Sequence, residues 1–293
     1  MAKGQGASNG GIIGPDNDPA ITDLVTTATS SNPSFAVQPG TSSVKLLIVA
    51  GGGNANPGGQ AGAGGAGGYR YFASQPVTGG NPYPLTVGGG ASTSSAMGYT
   101  ASAGGAGAAP RGANGLSGGS GGGAADHFPG GGGSGGSGNS GGYTPPEGNP
   151  GSAASPSSNQ GETPGGGGGS ASAGAIVDGT PYGNPAYWAR GGQGTPNNIT
   201  GTDLWYATGG CHPAGPVPGT PAMESAGYPV RANPSDWGGA TPMANTGNGA
   251  KGEGPGSGAS GVVIVAETGA GGLIASGVWK LSTQYEARKA GNW

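Results

Sequence analysis

The sequence predicts an all-β protein: a small antiparallel β-sandwich carrying long glycine-rich loops, partly of polyglycine or polyproline-II type, with a short helix at the C-terminus. Three observations predict it. The run VKLLIVAGGG, Val44 to Gly53, is rich in Val, Ile and Leu, too short for a typical helix, and ends in three glycines, so it reads as a buried strand. The segment GVVIVAE, Gly261 to Glu267, is its one counterpart, and the pair is expected to close a small sheet. Between and around them the chain is dominated by small residues, with 75 Gly and 26 Pro among 293 residues, far above ordinary globular usage.

Such composition has two simpler explanations. Collagen requires Gly at every third position, and the run Gly165 to Gly169 breaks that register. Disorder is favoured by high charge, whereas only 8 % of this chain is charged. An ordered fold with so few large side chains cannot rest on a conventional core, because glycine loses the most backbone entropy on ordering and buries no side chain. Backbone hydrogen bonding between extended segments that approach closely for want of side chains supplies the alternative, and trimerisation would bury further surface.

Taken in order, residues 1–33 read as an N-terminal arm, with Ile12 and Ile13 as an apolar pair among turn-formers. Phe35 and Val37 alternate in a short strand that ends at Pro39-Gly40, where a tight reversal would pair it with Val44 to Ala50. YRYFASQPV, from Tyr69, has one largely aromatic face and reads as a strand. PYPLTVGGG, from Pro82, is a strand that Pro82 and Pro84 should confine to an edge or a strand start. Met97 to Gly105 is a weaker strand, and residues 104–175 carry no signal for helix or sheet. Residues 176–250 add Tyr182, Tyr187, Trp188, Trp205, Tyr206, Tyr228 and Trp237 on Pro-rich segments that read as rigid irregular loops. At the C-terminus, Thr283 and Glu286 form a capping-box pattern and Gly291 is a stop, which predicts a helix over Gln284 to Ala290. The expected domains are thus the arm (1–33), a glycine-rich β domain (34–268) and a C-terminal anchoring tail (269–293).

Several chemistries are disfavoured. The net charge of −3 and the lack of a basic cluster speak against nucleic-acid binding. No apolar run approaches a membrane span and the N-terminus lacks a signal-peptide core, so a soluble protein made in a cytoplasm is expected. A strand ending in glycines begins a dinucleotide fingerprint, but a phosphate loop must lead into a helix, which NANPGGQAGAGG cannot supply. Cys211 beside His212 has no orienting third group, and neighbours in sequence rarely face one another. His127 and His212 are the only histidines, too few for a metal site within one chain. Carboxylates from Asp126 and Glu147 to Asp236 are scattered, without the close pair of a glycosidase. The expectation is therefore no enzyme, no cofactor and no metal. The aromatic group from Tyr182 to Trp237 can be read as a receptor or carbohydrate surface, since rigid rings on Pro-Gly loops stack on sugars at low entropic cost. The competing reading has those rings filling internal spaces or subunit contacts. Trp279, Leu281, Tyr285 and Trp293, with Ile12 and Ile13, read as assembly or anchoring residues.

The succession LLIVAGGG, GAGGAGGYR, PYPLTVGGG and GASGVVIVAE resembles the glycine-rich domain of tailed-phage virion structural proteins, marine ones especially. The opening GGIIGPDN is similar to their N-termini, and SGVWKLSTQYEARKAGNW looks like their closing segment, with Trp279, Leu281, Gln284, Gly291 and Trp293 at matching places. The middle matches in composition only. The chain departs from the pattern in having Ala266 and Glu267 where an Arg-Tyr pair often ends the last strand. Glycine-rich adhesins at T-even-type fibre tips are a more distant similarity. The resemblance implies a virion part located in the phage particle: a tail-fibre or spike component contacting the host surface, or alternatively a capsid decoration or capsid-fibre protein. It also implies a homotrimer, contacts with other virion proteins and a glycan or protein receptor on the host. A cellular glycine-rich adhesin is a further alternative, disfavoured by the missing signal peptide.

Overall fold

The structure is a computed structural model that describes residues 23–58, 60–126, 131–154, 164–177, 188–211, 243–252 and 256–268. Every ladder among these residues is antiparallel, and no helix occurs among them. The all-β expectation holds there. The expected helix over Gln284 to Ala290 lies outside the described residues.

A four-stranded main sheet runs β1 (Leu24–Ala28), β12 (Val262–Glu267), β3 (Ser43–Val49) and β4 (Tyr69–Pro76). The two apolar runs are therefore partners, paired from Val262 opposite Val49 to Glu267 opposite Val44. Both read as near-continuous apolar runs because both faces of their sheet are covered. On one face Val44, Leu46, Ile48, Val263 and Val265 join Phe35, Leu85, Ala96 and Ala101 in one buried cluster. On the other, Leu47, Val49, Val262, Ile264 and Ala266 pack with Ile199, Tyr206 and Ala207. Lys45 escapes burial and pairs with Asp23 at 2.7 Å.

The second sheet runs β2 (Asn32–Ala36), β5 (Pro82–Thr86), β6 (Ser94–Ala96) and β7 (Tyr99–Ala101). Three sequence expectations change here. The segment around Phe35 does not form a hairpin with Val44 to Ala50; β2 pairs instead with β5, so that Phe35 faces the main sheet across the cluster it shares with Leu46 and Ile48. Of the two positions expected of the proline-bearing strand, an edge or a strand start, Pro82 takes the second, while β5 as a whole is an inner strand. Pro82 opens it and Pro84 falls where the β2 register shifts, between Asn32 and Phe35, while only Leu85 and Thr86 pair with β6, so neither missing N–H interrupts a regular ladder. Met97 and Gly98, with φ of 51° and 84°, are the two turn residues of the β6–β7 hairpin rather than the start of a strand.

Beyond the sheets, the glycine-rich segments bond to one another with a repeat of three residues. In residues 61–68 the N–H groups of Gly62, Gly65 and Gly68 donate to the carbonyls of Ala108, Gly105 and Ser102. Those of Ala63 and Ala66 donate to Gly165 and Gly168, and those of Gly64 and Gly67 to Ala250 and Gly247. Carbonyls of the same segment accept from Ala50 and Gly53, from Ser120 and Gly123, and from Gly210. Six neighbouring segments thus surround one, each bonded to it at positions that recur every three residues. Residues 120–126 are enclosed in the same way. Closest approach dictates the sequence: a Cβ on Gly62, Gly64, Gly65 or Gly67 would collide with a neighbouring backbone, whereas the row of Ala63 and Ala66 accommodates buried methyls. The absence of strand or helix signal over 104–175 is explained, since most of that stretch belongs to this array and β8 (Ala175–Val177) begins at its end.

Region 176–250, expected to be irregular loops, contributes short strands among its described residues. β8 pairs with β9 (Trp188–Arg190), and β10 (Thr195–Asn197) with β11 (Leu204–Tyr206). The stretch read as an arm likewise contains β1, bonded along β12.

Candidate functional site

Register and chain direction give the body two opposite ends. The chain enters at β1 with Leu24 opposite Glu267, and leaves past Glu267, which is also opposite Val44 at the start of β3. Both described termini therefore sit at the end of the main sheet farthest from the glycine array. A buried carboxylate secures this end: Glu267 Oε2 accepts from the Gln38 N–H at 2.7 Å and the Thr41 hydroxyl at 3.1 Å.

The array extends from the other end of the sheets. Residues 50–55 run outward from β3 and residues 61–68 return to β4. Following the bonds from segment to segment places Asp126 beside Gln60, Ala154 beside Gly133, and Gly165 beside Ala63 and Ala124, all at the outer end. Gly252 bonds to Cys211 and Gly256 to Ala55 at the same end, and Ala175, which precedes Val177 in β8, pairs with Arg190 next to Gly166. The described residues that flank 127–130, 155–163, 178–187, 212–242 and 253–255 thus collect at one end, opposite the termini.

Of the predicted surface residues, Trp205 lies half-buried on β11. Tyr206 is corrected: it is 4 % exposed and packs against Leu47, Val49 and Ile264, so it is a core residue and not part of an exposed surface. Alternation on a short strand turns it inward beside the outward Trp205, which composition alone could not reveal. Burial pushes the Tyr206 phenol above its ordinary value of 10. Tyr69 is raised for the same reason, partly offset by the bond that Asn197 Nδ2 donates to its oxygen at 2.8 Å. The backbone of Trp188 opens β9. Tyr182, Tyr187, Tyr228 and Trp237, the residues expected to anchor the chain (Ile12, Ile13, Trp279, Leu281, Tyr285 and Trp293), and both histidines lie outside the described residues. Cys211 is half-buried. Among the described residues no group of three His, Cys, Asp or Glu could hold a metal, and no helix is long and apolar enough to cross a membrane.

A cluster that sequence reading missed stands where the sheets meet the array. Glu147 is fully buried, its Oε2 accepting from the Ser102 N–H at 2.8 Å and its Oε1 from the Gly141 N–H at 3.1 Å, while its carbonyl accepts from Tyr69 N–H at 2.8 Å. These bonds satisfy the carboxylate without a cation. They tie the turn at 139–147 to the start of β4, where Arg70 lies over the ring of Tyr143. The alternation in YRYF was the one available signal, and it identified a strand without its partner.

Comparison of the chain with family models, with curated proteins and with solved structures finds no match.

Proposed function

We propose that this chain is a tailed-phage virion structural protein, a tail-fibre or spike component that is anchored by its termini and meets the host surface with the opposite end. The observation that carries this reading is the polarity of the body. Five connections, among them those containing Tyr182, Tyr187, Tyr228 and Trp237, begin and finish at the end remote from Leu24 and Glu267. A rigid scaffold holding variable connections at one end is the arrangement that binding proteins use, since the scaffold bears the folding energy and the connections are free to vary. The finer architecture belongs to the same reading. The two four-stranded sheets form a sandwich around the cluster of Leu46, Ile48, Phe35 and Leu85, and the array is a polyglycine-II lattice. It acts as a homotrimer, without enzymatic activity.

Three experiments test this. Cryo-electron microscopy of virions should locate the protein on the tail; density on capsid capsomers would reject the tail assignment in favour of a capsid decoration. Replacing Trp188, Trp205 and Trp237 by Ala should reduce adsorption to host cells, and unchanged adsorption would eliminate these rings as the receptor surface. Light scattering of the purified chain reads the trimer directly.

A further inference from the structure

Arg70 sits on the edge strand β4, half-buried, where the turn at 139–147 and the edge strand β7 converge. Its guanidinium carbon lies 3.7 Å from the centroid of the Tyr143 ring, 5.1 Å from that of Phe72 and 5.6 Å from that of Tyr99. Phe72 and Tyr99 are themselves in contact, with centroids 4.3 Å apart, so the walls around the cation are mutually braced. One donor of Nη1 reaches the Thr100 carbonyl at 2.9 Å. A guanidinium has five N–H donors, and no carboxylate among the described residues pairs with this one, the ion pair there being Lys45 with Asp23. Glu147, the neighbouring acid, is turned inward, with both oxygens held by the backbone N–H groups of Ser102 and Gly141.

A cation flanked by three rings, with no carboxylate partner and most of its donors unspent among the described residues, has the components of an anion site. Its planar fork matches a carboxylate bidentately, and it is pre-organised, so little rotamer entropy is lost on binding. Tyr143 and Tyr99 are both partly exposed residues, and an aromatic ring suits the apolar face of a sugar. We infer that Arg70, with Tyr143 and Tyr99 as side walls, binds a carboxylate-bearing sugar of the uronic-acid class. This site lies at the junction of sheets and array, away from the end that presents the aromatic connections, and stands independently of the receptor reading given above.

The test is calorimetric titration of the full chain with D-glucuronate, with D-glucose as the neutral comparison. Wild-type protein should bind glucuronate saturably and glucose at least about tenfold more weakly, since only the acid engages the guanidinium fork. Arg70→Gln should abolish the difference. Arg70 also ties β4 to β7 through Thr100, so thermal melting is measured alongside; if Arg70→Gln fails to fold, Arg70→Lys keeps the charge and loses the bidentate fork, and should bind at least about tenfold more weakly than wild type. Absence of saturable glucuronate binding by folded wild type, equal binding of glucose, or undiminished binding by a folded Arg70 variant would each overturn the assignment.

Discussion

Gly65→Ala isolates what holds the array together. Gly65 lies in the segment enclosed by six others, its N–H donating to Gly105 at 2.8 Å and its carbonyl accepting from Gly53 at 2.7 Å. A methyl group there would overlap the carbonyls of Ser120 and Gly121, which are backbone atoms fixed by their own bonds. Overpacking of that kind costs about 1–3 kcal/mol. Moving the segment aside weakens its bonds with no water to replace them, and an unsatisfied buried backbone group costs about 1–3 kcal/mol more. The sum, about 2–6 kcal/mol, is a large share of the total stability of about 5–15 kcal/mol expected of a folded protein. At about 2–4 °C per kcal/mol for a large domain, the midpoint should fall by roughly 4–24 °C. Gly89→Ala is the matched control, because a Cβ at Gly89 meets nothing within 4 Å and its φ is not in the left-handed region; it should shift the midpoint by no more than the equivalent of about 1 kcal/mol, in the stabilising direction. Thermal scans of both variants by calorimetry provide the measurement. Equal midpoints for the two would refute the claim that close backbone approach, rather than composition, demands glycine at position 65.

The remaining predictions concern the few polar and ionisable groups inside the body. Glu147→Gln places an amide NH2 against one of the two backbone donors at Ser102 and Gly141, and should cost about 1–3 kcal/mol in urea unfolding. Lys45→Ala removes a partly exposed ion pair and should cost no more than about 1 kcal/mol in the same assay; a larger loss than for Glu147→Gln would reverse the ranking of the buried carboxylate above the partly exposed one. Tyr69 and Tyr206 have folded-state values above 10, so their protonated forms are favoured in the native state and unfolding releases protons in alkali. Stability should be unaffected by these groups below pH 10 and decline as pH rises through and beyond 10, with urea midpoints recorded from pH 7 to 11. Tyr206→Phe should make that alkaline decline shallower, and an unchanged slope would contradict the burial of this phenol.

The two strands of the central ladder and their burial can be read from the amino-acid order. VKLLIVAGGG and GVVIVAE were legible because a strand covered on both faces needs an unbroken apolar run, and β3 and β12 are the strands so covered. The amino-acid order also carried the array in a form hard to read: Ala63 and Ala66, three apart among glycines, mark the row of positions that has room for a methyl group. A period of three among small residues has no apolar contrast, so hydrophobic patterning passes over it. Tertiary structure alone decided which strands are neighbours. Phe35 found β5 instead of Val44 to Ala50 because a cluster between two sheets buries more apolar surface than a local hairpin, and Pro84 was admitted to an inner strand because a register shift met it. Tyr206 and Trp205 are adjacent in sequence, yet one fills the core and the other does not, which depends on the sheet face each meets. The separation of Leu24 and Glu267 from the residues that flank the outer connections arises likewise from accumulated register, since each bond between segments fixes direction as well as distance, and no single segment contains that information.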